Sequence, residues 1–473
     1  MAFTSMLYPA FLCVLFALYW ALPGRFRAPL ALAAGLGFYA LFGAPMLAVL
    51  AACTLGSYAL SLWLARRRTR AVLALSLAAA LAPLCFYKYA DAVCARFGAE
   101  TAFGALVPVG MSFFTFKIVS YLAEVWRGSI AVPRLDRYAL YVTFFPEVAS
   151  GPIQRPGDLL GQIDGAAARR FDGERAIRGA QLALWGYFQK LVIADNLAAS
   201  AQLGFTQPDL LMGGSVILAM LLYAVQLYCD FAGYSNIAVG SMMLLGYDVP
   251  DNFRSPYFST SVRDFWSRWH ISLSTFLRDY VYFPLGGSRR GTVRTCVNLL
   301  LTFLVSGLWH GTGLQFAVWG LLHGAYQVAG RLTRTARSRA WAALHLREDG
   351  RFVRAVRMLC TFVLVSAAWV FFGAPSLQSA LHIFARMPDS FAFSLQYLKN
   401  SAAMLGLNAA LVVRYGVCLA LLFYVDARTR DTGFCDWLRG RRAWVQAVFC
   451  YAVTALLLFL APATGGGFIY FQF

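Results

Sequence analysis

The chain has 473 residues, of which 60% are hydrophobic, 16% aromatic and only 13% charged. Soluble domains carry about 25% charged residues, so this composition argues against a soluble enzyme and predicts one membrane domain over residues 1–473. The formal net charge is +19, but the basic residues form short clusters between apolar runs, such as RRRTR at 66–70, which is typical of cytoplasmic loops and not of nucleic-acid binding.

Four apolar runs come first and predict membrane spans near residues 5–22, 29–42, 45–65 and 71–88. The second run is short for a crossing, so we expect that helix either to be tilted or to lie in a thin region of the membrane. The first basic residues, Arg25 and Arg27, follow the first run, whereas a signal peptide has its basic residues before the apolar stretch. This order predicts a retained first helix, an N-terminus outside and a cytoplasmic RRRTR cluster.

The middle of the chain, residues 108–155, has apolar runs that are broken by Gly, Pro, Ser and charged residues. Irregular backbone at membrane depth is tolerated only inside protein or beside a water-filled cavity. This stretch therefore predicts short, tilted or re-entrant helices, and the polar, basic residues 161–179 predict a cytoplasmic interfacial helix or loop. Further spans are predicted near residues 180–200, 213–231 and 234–247.

An aromatic and charged segment, 251–290, and a basic loop, 331–357, accompany the later spans, which are predicted near residues 295–310, 312–330, 358–373, 403–425 and 443–461. The pattern predicts an all-α fold of about 11 transmembrane helices, divided into N-terminal helices (1–90), a core (108–330) and C-terminal helices (331–473). The ten cysteines are scattered singly without a C-x-x-C pair. We therefore expect neither a disulfide framework nor a metal site.

His310 closes a strongly apolar run and is followed by Gly-Thr-Gly. An ionisable residue at membrane depth is costly, so it is a functional-site hypothesis. Imidazole titrates near neutral pH and suits general-base work. The alternative that the residues leave open is a neutral His that is hydrogen-bonded between helices.

His270 lies in an amphipathic, aromatic segment, whose other candidate substrate-path residues are Trp266, Arg268, Trp269, Arg278 and Asp279. Asp264 and Arg268 are four residues apart, as are Trp266 and His270. A helix would therefore carry an ion pair on one face and an aromatic–His pair on the adjacent face. An interfacial aromatic belt is the alternative reading.

Two further sets of polar residues lie in apolar surroundings. His323, in WGLLHGAY, is interpreted as a packing or supporting residue. Tyr228, Asp230 and Asn236 belong to a polar group within LLYAVQLYCDFAGYSNIAVG, which either stabilises the fold or lines a cavity. The chain has no P-loop, G-x-S-x-G or HExxH motif, so the sequence does not support ATP hydrolysis, a serine-hydrolase triad or a zinc protease.

A series of long motifs runs from residue 108 to residue 473: PVGMSFFTFKIVSYLAEVWRG, FFPEVASGPIQRP, the run from YCDFAGYSNIA to YFPLGG, FLVSGLWHGTG with WGLLHG, and FIYFQF. In this order they resemble the membrane-bound O-acyltransferases, and within them the bacterial alginate O-acetyltransferase branch. The resemblance implies a helical core pierced by a tunnel. In that tunnel an acyl donor from the cytoplasm would meet an acceptor from outside.

The resemblance places the family's catalytic histidine on His310, in LWHG beside Trp309. The family's second characteristic polar position, Asn in many eukaryotic members and His in this branch, falls on His270. His310 would then deprotonate an acceptor hydroxyl that attacks an acetyl carbonyl, and His270 is a candidate for stabilising the oxyanion. The implied donor is acetyl-coenzyme A or a derivative, as a substrate and not as a tightly bound cofactor.

The resemblance also implies a place in the bacterial inner membrane and a periplasmic partner of the SGNH-hydrolase type. Either a serine of that partner or the sugar itself is then the immediate acceptor. Alginate, another glycan such as cellulose or peptidoglycan, and D-alanyl transfer to a cell-wall polymer all stay open as outcomes. A transporter of donor or glycan without chemistry is the alternative from a different class.

Departures from the expected pattern occur at Lys117, Glu124, Glu147 and Ser150. The resemblance predicts Gln or a similar residue at position 117 and Asp at position 124, and FFPQLVAGPI where this chain reads FFPEVASGPI. The departures leave the catalytic motif intact and bear on which polysaccharide is modified.

Overall fold

The computed structural model describes residues 3–5, 7–98, 107–149, 151–462 and 466–468, and these residues form helices and loops without a β-strand. The earlier helices are α1 Leu7–Ala21, α2 Arg27–Ala40, α3 Ala44–Arg66, α4 Arg70–Arg96, α5 Met111–Arg127, α6 Leu135–Thr143, α7 Phe145–Val148, α8 Pro156–Asp164, α9 Gly173–Tyr187, α10 Asp195–Thr206 and α11 Gly213–Leu244. The later helices are α12 Val262–Trp266, α13 Ile271–Leu277, α14 Gly291–His310, α15 Leu314–Leu332, α16 Arg334–Ala343, α17 Arg351–Gly373, α18 Leu377–Arg386, α19 Leu395–Met404, α20 Ala409–Thr429, α21 Phe434–Arg439 and α22 Ala443–Leu460.

Seven of the described helices are long and apolar enough to cross a membrane: α3, α4, α11, α14, α17, α20 and α22. The first two predicted spans form shorter helices, since α1 has 15 residues and α2 has 14, whereas a straight crossing needs about 20. The predicted all-α, multi-pass class is confirmed. Full-length spans among the described residues are fewer than predicted, because the first two runs form helices of only 15 and 14 residues and two of the later runs join into one helix.

The spans predicted near residues 213–231 and 234–247 form one continuous helix, α11, of 32 residues. The prediction of two spans is therefore wrong. Its apparent break, Gly233, serves close packing, because a Cβ built there would lie 2.6 Å from the carbonyl oxygen of Gly186. The span predicted near residues 180–200 lies across α9, a π-helical stretch at Phe188–Ala194 and α10, which follow one another without a break.

Short buried helices occupy the region that the broken apolar runs predicted. α5 has 17 residues, most of which are buried, and begins after Gly110 in the left-handed conformation, φ 70°. α6 and α7 follow with nine and four residues. The expectation of short helices inside the protein is confirmed for this stretch.

The described residues form two compact units. The first comprises Met1–Leu184 and Tyr234–Pro250, and the second comprises Trp185–Gly233 and Asp251–Phe473. All five histidines of the chain lie in the second unit. The division of the chain into one domain of three regions stays a prediction.

Candidate active site

His310 is the last residue of α14, and a short glycine-containing turn leads into α15. The two helices pack through glycines. A Cβ built on Gly320 would lie 2.2 Å from the carbonyl oxygen of Phe303 and 3.2 Å from the Cα of Gly307. Because these glycines carry no side chains, the two backbones approach closely. This hairpin holds His310 at the end of the apolar helix.

Aromatic rings surround the imidazole of His310. Its centroid lies 4.9 Å from the ring of Trp319 and 5.2 Å from that of Phe372, with interplanar angles of 86° and 76°. The residue is only 3% exposed. Such walls exclude water, so hydrogen bonds and proton transfer at this imidazole would take place in a low-dielectric environment.

His270 is fully buried and precedes α13 with a left-handed backbone, φ 42°. Its Nδ1 lies 3.3 Å from Oδ1 of Asn252, which also accepts the backbone N–H of Ser272 at 3.1 Å. An amide oxygen only accepts, so Nδ1 of His270 carries the hydrogen and Nε2 carries the lone pair. His270 lies outside the seven membrane-spanning helices, and burial lowers its pKa to about 3. Its imidazole is therefore neutral at physiological pH.

Trp309 contacts both of the predicted catalytic histidines. Its ring centroid lies 4.6 Å from that of His310 and 6.2 Å from that of His270. Phe231 also packs edge-on against His270, with centroids 4.6 Å apart. Two histidines that are forty positions apart in sequence thus belong to one aromatic cluster of the second unit.

His323 belongs to the same cluster and is fully buried. Nε1 of Trp266 donates to its Nδ1 at 3.2 Å, so the hydrogen of this imidazole is on Nε2. The ring of Trp319 lies 5.0 Å from His323 and 4.9 Å from His310. His323 therefore accepts a hydrogen bond from Trp266 and packs against Trp319, which also contacts the imidazole of His310.

The segment that contains His270 is not the single helix that the spacing suggested. α12 ends at Trp266, so Trp266 and His270 do not share a helical face, and the predicted aromatic–His pair is wrong. Trp266 pairs with His323 instead. The predicted ion pair does form, since Nε of Arg268 donates to Oδ1 of Asp264 at 2.8 Å.

The remaining candidates of this segment differ in their surroundings. Trp269 is buried against Trp369, with ring centroids 5.0 Å apart. Arg278 and Asp279 form an ion pair with each other, Nε to Oδ1 at 2.8 Å, and more than half of the Arg278 side chain is exposed. Trp269 thus joins the aromatic cluster, whereas Arg278 is exposed at the start of the π-helical stretch Arg278–Tyr282.

Two of the three polar candidates on α11 pair with different side chains. The hydroxyl of Tyr228 donates to the buried carboxylate of Asp426, 2.9 Å from Oδ2. Asp230 pairs with Lys190. Asn236 belongs to the first unit, whereas the other two belong to the second.

Sequence reasoning missed several residues that complete the site. Asn252 lies in the polar stretch DVPDN, which resembles an ordinary loop, and only the fold brings it to His270. Phe372 lies in a helix that was interpreted as one more span. Lys190 is a single cation within an apolar run, and that isolation was a signal that could have marked it.

Two of the departures from the family pattern compensate each other in the first unit. Nζ of Lys117 donates to the carboxylate of Glu147, and the two side chains are 1% and 0% exposed. The ammonium also lies 4.7 Å from the ring centroid of Tyr141. Glu124 instead pairs with Arg127 on the surface. Ser150 lies outside the described residues.

Comparison with known proteins adds to this geometry. The model of the membrane-bound O-acyltransferase family matches residues 66–374. The chain is 34% identical to a probable alginate O-acetylase of Pseudomonas putida, and the alignment covers 98% of both chains. It is 30% identical to a peptidoglycan O-acetyltransferase of Helicobacter pylori over 93% of this chain and 90% of that one. It is 31% identical to a teichoic acid D-alanyltransferase of Bacillus subtilis over 46% of this chain and 56% of that one.

Proposed function

The chain belongs to the membrane-bound O-acyltransferase family, and from that premise we propose that it moves an acetyl group from a cytoplasmic donor across the inner membrane for O-acetylation of an exopolysaccharide such as alginate. The near full-length similarity to a probable alginate O-acetylase supports this acceptor class. One observation carries the site: Trp309 contacts both His270 and His310 inside a single buried aromatic cluster.

In the proposed reaction, His310 removes the proton from the acceptor hydroxyl while its oxygen attacks the acetyl carbonyl. The acetyl–sulfur bond of an acetyl-coenzyme A type donor breaks, and the proton passes from His310 to the leaving thiolate. A general base must come within about 3 Å of the hydroxyl. The aromatic walls would keep water from competing as the acceptor.

His270 is assigned a supporting part in this proposal. Its Nδ1–H is held by Asn252, so its Nε2 presents a lone pair. A neutral imidazole in this tautomer accepts a hydrogen bond through Nε2 and does not supply a positive charge. It therefore suits the orientation of the acceptor hydroxyl better than the stabilisation of an oxyanion.

The proposed membrane arrangement follows from charge. Arg25, Arg27 and the RRRTR cluster favour a cytoplasmic side for the loops that contain them and a periplasmic N-terminus. Cytoplasmic arginines also suit the phosphates of a coenzyme A type donor. A periplasmic SGNH-type partner would receive the acetyl group on a serine, or the sugar would take it directly.

A second candidate acceptor is peptidoglycan. The peptidoglycan O-acetyltransferase of Helicobacter pylori aligns with 93% of this chain, and the probable alginate O-acetylase of Pseudomonas putida aligns with 98% of it. Both acceptors are therefore suggested by nearly complete alignments. The rates of acetyl transfer to isolated alginate and to isolated peptidoglycan, measured in membranes that contain this protein, would distinguish the two acceptors.

The test is acetyl transfer from labelled acetyl-coenzyme A in membranes that contain the protein together with its polymer and periplasmic partner. We expect His310→Ala to lower the rate by about 10²-fold to 10⁴-fold, the usual worth of a general base. The matched control is His382→Ala, since His382 is a half-exposed histidine that pairs with Asp209. Wild-type transfer by a correctly inserted His310→Ala protein would overturn the proposal and favour a transporter.

A further inference from the structure

Three charged side chains meet inside the second unit. Nζ of Lys190 lies 2.7 Å from Oδ1 of Asp195 and also donates to the carboxylate of Asp230. The three side chains are 1%, 5% and 3% exposed. Removing three charged groups from water is costly even when they pair, so apolar residues would hold the same helices together at a lower cost.

The backbone around Lys190 is arranged for this contact. Lys190 lies in the π-helical stretch Phe188–Ala194. π-Helices are rare in proteins, and those that occur are often found at functional sites. A Cβ built on Gly233 of α11 would lie 2.9 Å from the backbone nitrogen of Lys190. Because Gly233 has no side chain, α11 approaches closely enough for Asp230 to reach the ammonium.

The charge cluster binds backbone from the segment that follows α22. Nζ of Lys190 donates to the carbonyl oxygen of Gly467 at 3.2 Å, and the N–H of Gly466 donates to Oδ2 of Asp195 at 3.1 Å. Gly466 and Gly467 are themselves exposed, whereas Phe468 is only 3% exposed. Two charge-assisted hydrogen bonds thus hold the exposed backbone of Gly466 and Gly467, and the side chain of the following residue, Phe468, is buried.

Phe468 connects this segment to the candidate active site. Its ring centroid lies 5.8 Å from that of Phe231, and Phe231 packs edge-on against His270 at 4.6 Å. Phe231 is the chain neighbour of Asp230. Two consecutive residues of α11 therefore make the two contacts: Asp230 pairs with Lys190, and Phe231 packs against His270.

We propose that Lys190, Asp195 and Asp230 form a clamp of positioning residues, which holds segment 466–468 so that Phe468 packs on Phe231 and keeps His270 in place. This inference rests on the proposed acyl transfer at His270 and His310. None of the three clamp residues is assigned contact with substrate. Their effect passes through the backbone of the segment and the two phenylalanine rings.

Two neighbouring glycines offer a matched test. A Cβ on Gly466 would lie 2.9 Å from Oδ1 of Asp195, whereas a Cβ on Gly467 would meet nothing within 4 Å. We expect Gly466→Ala to speed hydrogen–deuterium exchange of the 466–468 amides and to lower the kcat of acetyl transfer at least tenfold, with the KM for the donor unchanged. Gly467→Ala should match the wild type in both measurements.

A second pair of variants separates positioning from stability. Asp195→Asn keeps one oxygen, which can accept the N–H of Gly466, and gives up the contact with the Lys190 ammonium, which stays paired with Asp230. The segment should therefore remain held, and most of the transfer activity should survive. Asp195→Ala removes that acceptor and should behave like Gly466→Ala in exchange and in kcat. The melting temperatures of Asp195→Ala and Asp195→Asn should agree within a few degrees.

The proposal is overturned if Gly466→Ala leaves the exchange of the segment unchanged, or if it frees the segment while kcat stays at the wild-type value. Exchange in the His310→Ala protein keeps the two proposals distinguishable, because the clamp should protect the segment there as well. Failure of the proposed function would leave that protection intact.

Discussion

Oδ1 of Asn252 accepts the Nδ1–H of His270 and the backbone N–H of Ser272, at 3.3 and 3.1 Å. Asn252→Ala removes the acceptor that sets the tautomer of His270. We expect kcat to fall by about 10²-fold, the usual cost of misplacing a catalytic group by about 1 Å. The measurement is the rate of acetyl transfer at saturating donor.

Ser272→Ala is the control for this change. It removes the Ser272 hydroxyl, which donates to Oδ1 of Asn252 at 2.9 Å and lies 3.5 Å from Nδ1 of His270, and it leaves the backbone N–H and the Asn252 acceptor in place. Its kcat should stay within a few-fold of the wild type. An Asn252→Ala protein as active as Ser272→Ala would contradict the assigned role of Asn252.

The Lys117–Glu147 pair predicts strong non-additivity. Lys117→Gln leaves the Glu147 carboxylate buried without its cation, which should lower the free energy of unfolding by about 3–5 kcal/mol. The double variant Lys117→Gln/Glu147→Gln replaces the ion pair by two neutral amides and should recover most of that loss. Thermal unfolding in detergent measures both, and a double variant no more stable than the single one would refute the compensation.

The glycine contact between α14 and α15 predicts a steric effect at a distance from the chemistry. Gly320→Ala places a methyl group 2.2 Å from the carbonyl oxygen of Phe303, so the helices must separate and His310 must move. We expect lower stability and at least a hundredfold loss of transfer. Gly330→Ala, on the same helix with nothing within 4 Å, should be neutral or more stable by up to about 1 kcal/mol.

Burial of His270 predicts a pH dependence of stability. Its pKa in the folded protein is lowered to about 3, whereas an exposed histidine titrates near 6.5. Below about pH 6.5 this histidine binds a proton in the unfolded chain but not in the folded one. Its contribution to the free energy of unfolding is therefore complete above that pH and falls on acidification, by at most about 1.4 kcal/mol per pH unit. Melting temperatures between pH 7.5 and 5 should fall less steeply in His270→Asn than in the wild type.

Hydropathy located the long spans well, because apolar length alone decides them. α3, α14 and α22 begin and end within a few residues of the predicted limits. It failed where a residue served packing, as at Gly233, or where a helix ended without a strong signal, as at Trp266. Periodicity assumes that a helix continues, and only the fold determines where it stops.

The candidate site was predictable in part. His270 and His310 came from motif resemblance, and the structure places both beside Trp309. Asn252 was missed because its partner His270 lies 18 positions away in sequence. Lys190 could have been marked by its isolation in an apolar run, but its contact with Gly467, 277 positions away, could not be predicted. Such contacts depend on tertiary packing, which no local pattern encodes.

The left-handed backbone at residue 270 limits which amino acids this position can hold. A positive φ strains β-branched and bulky residues, and it is tolerated best by glycine, followed by Asn, Asp and His. Histidine at position 270 falls within that small set. The backbone at position 270 therefore restricts the side chain independently of the chemistry, and replacing His270 by a β-branched residue should strain the backbone even where the new side chain fits the cavity.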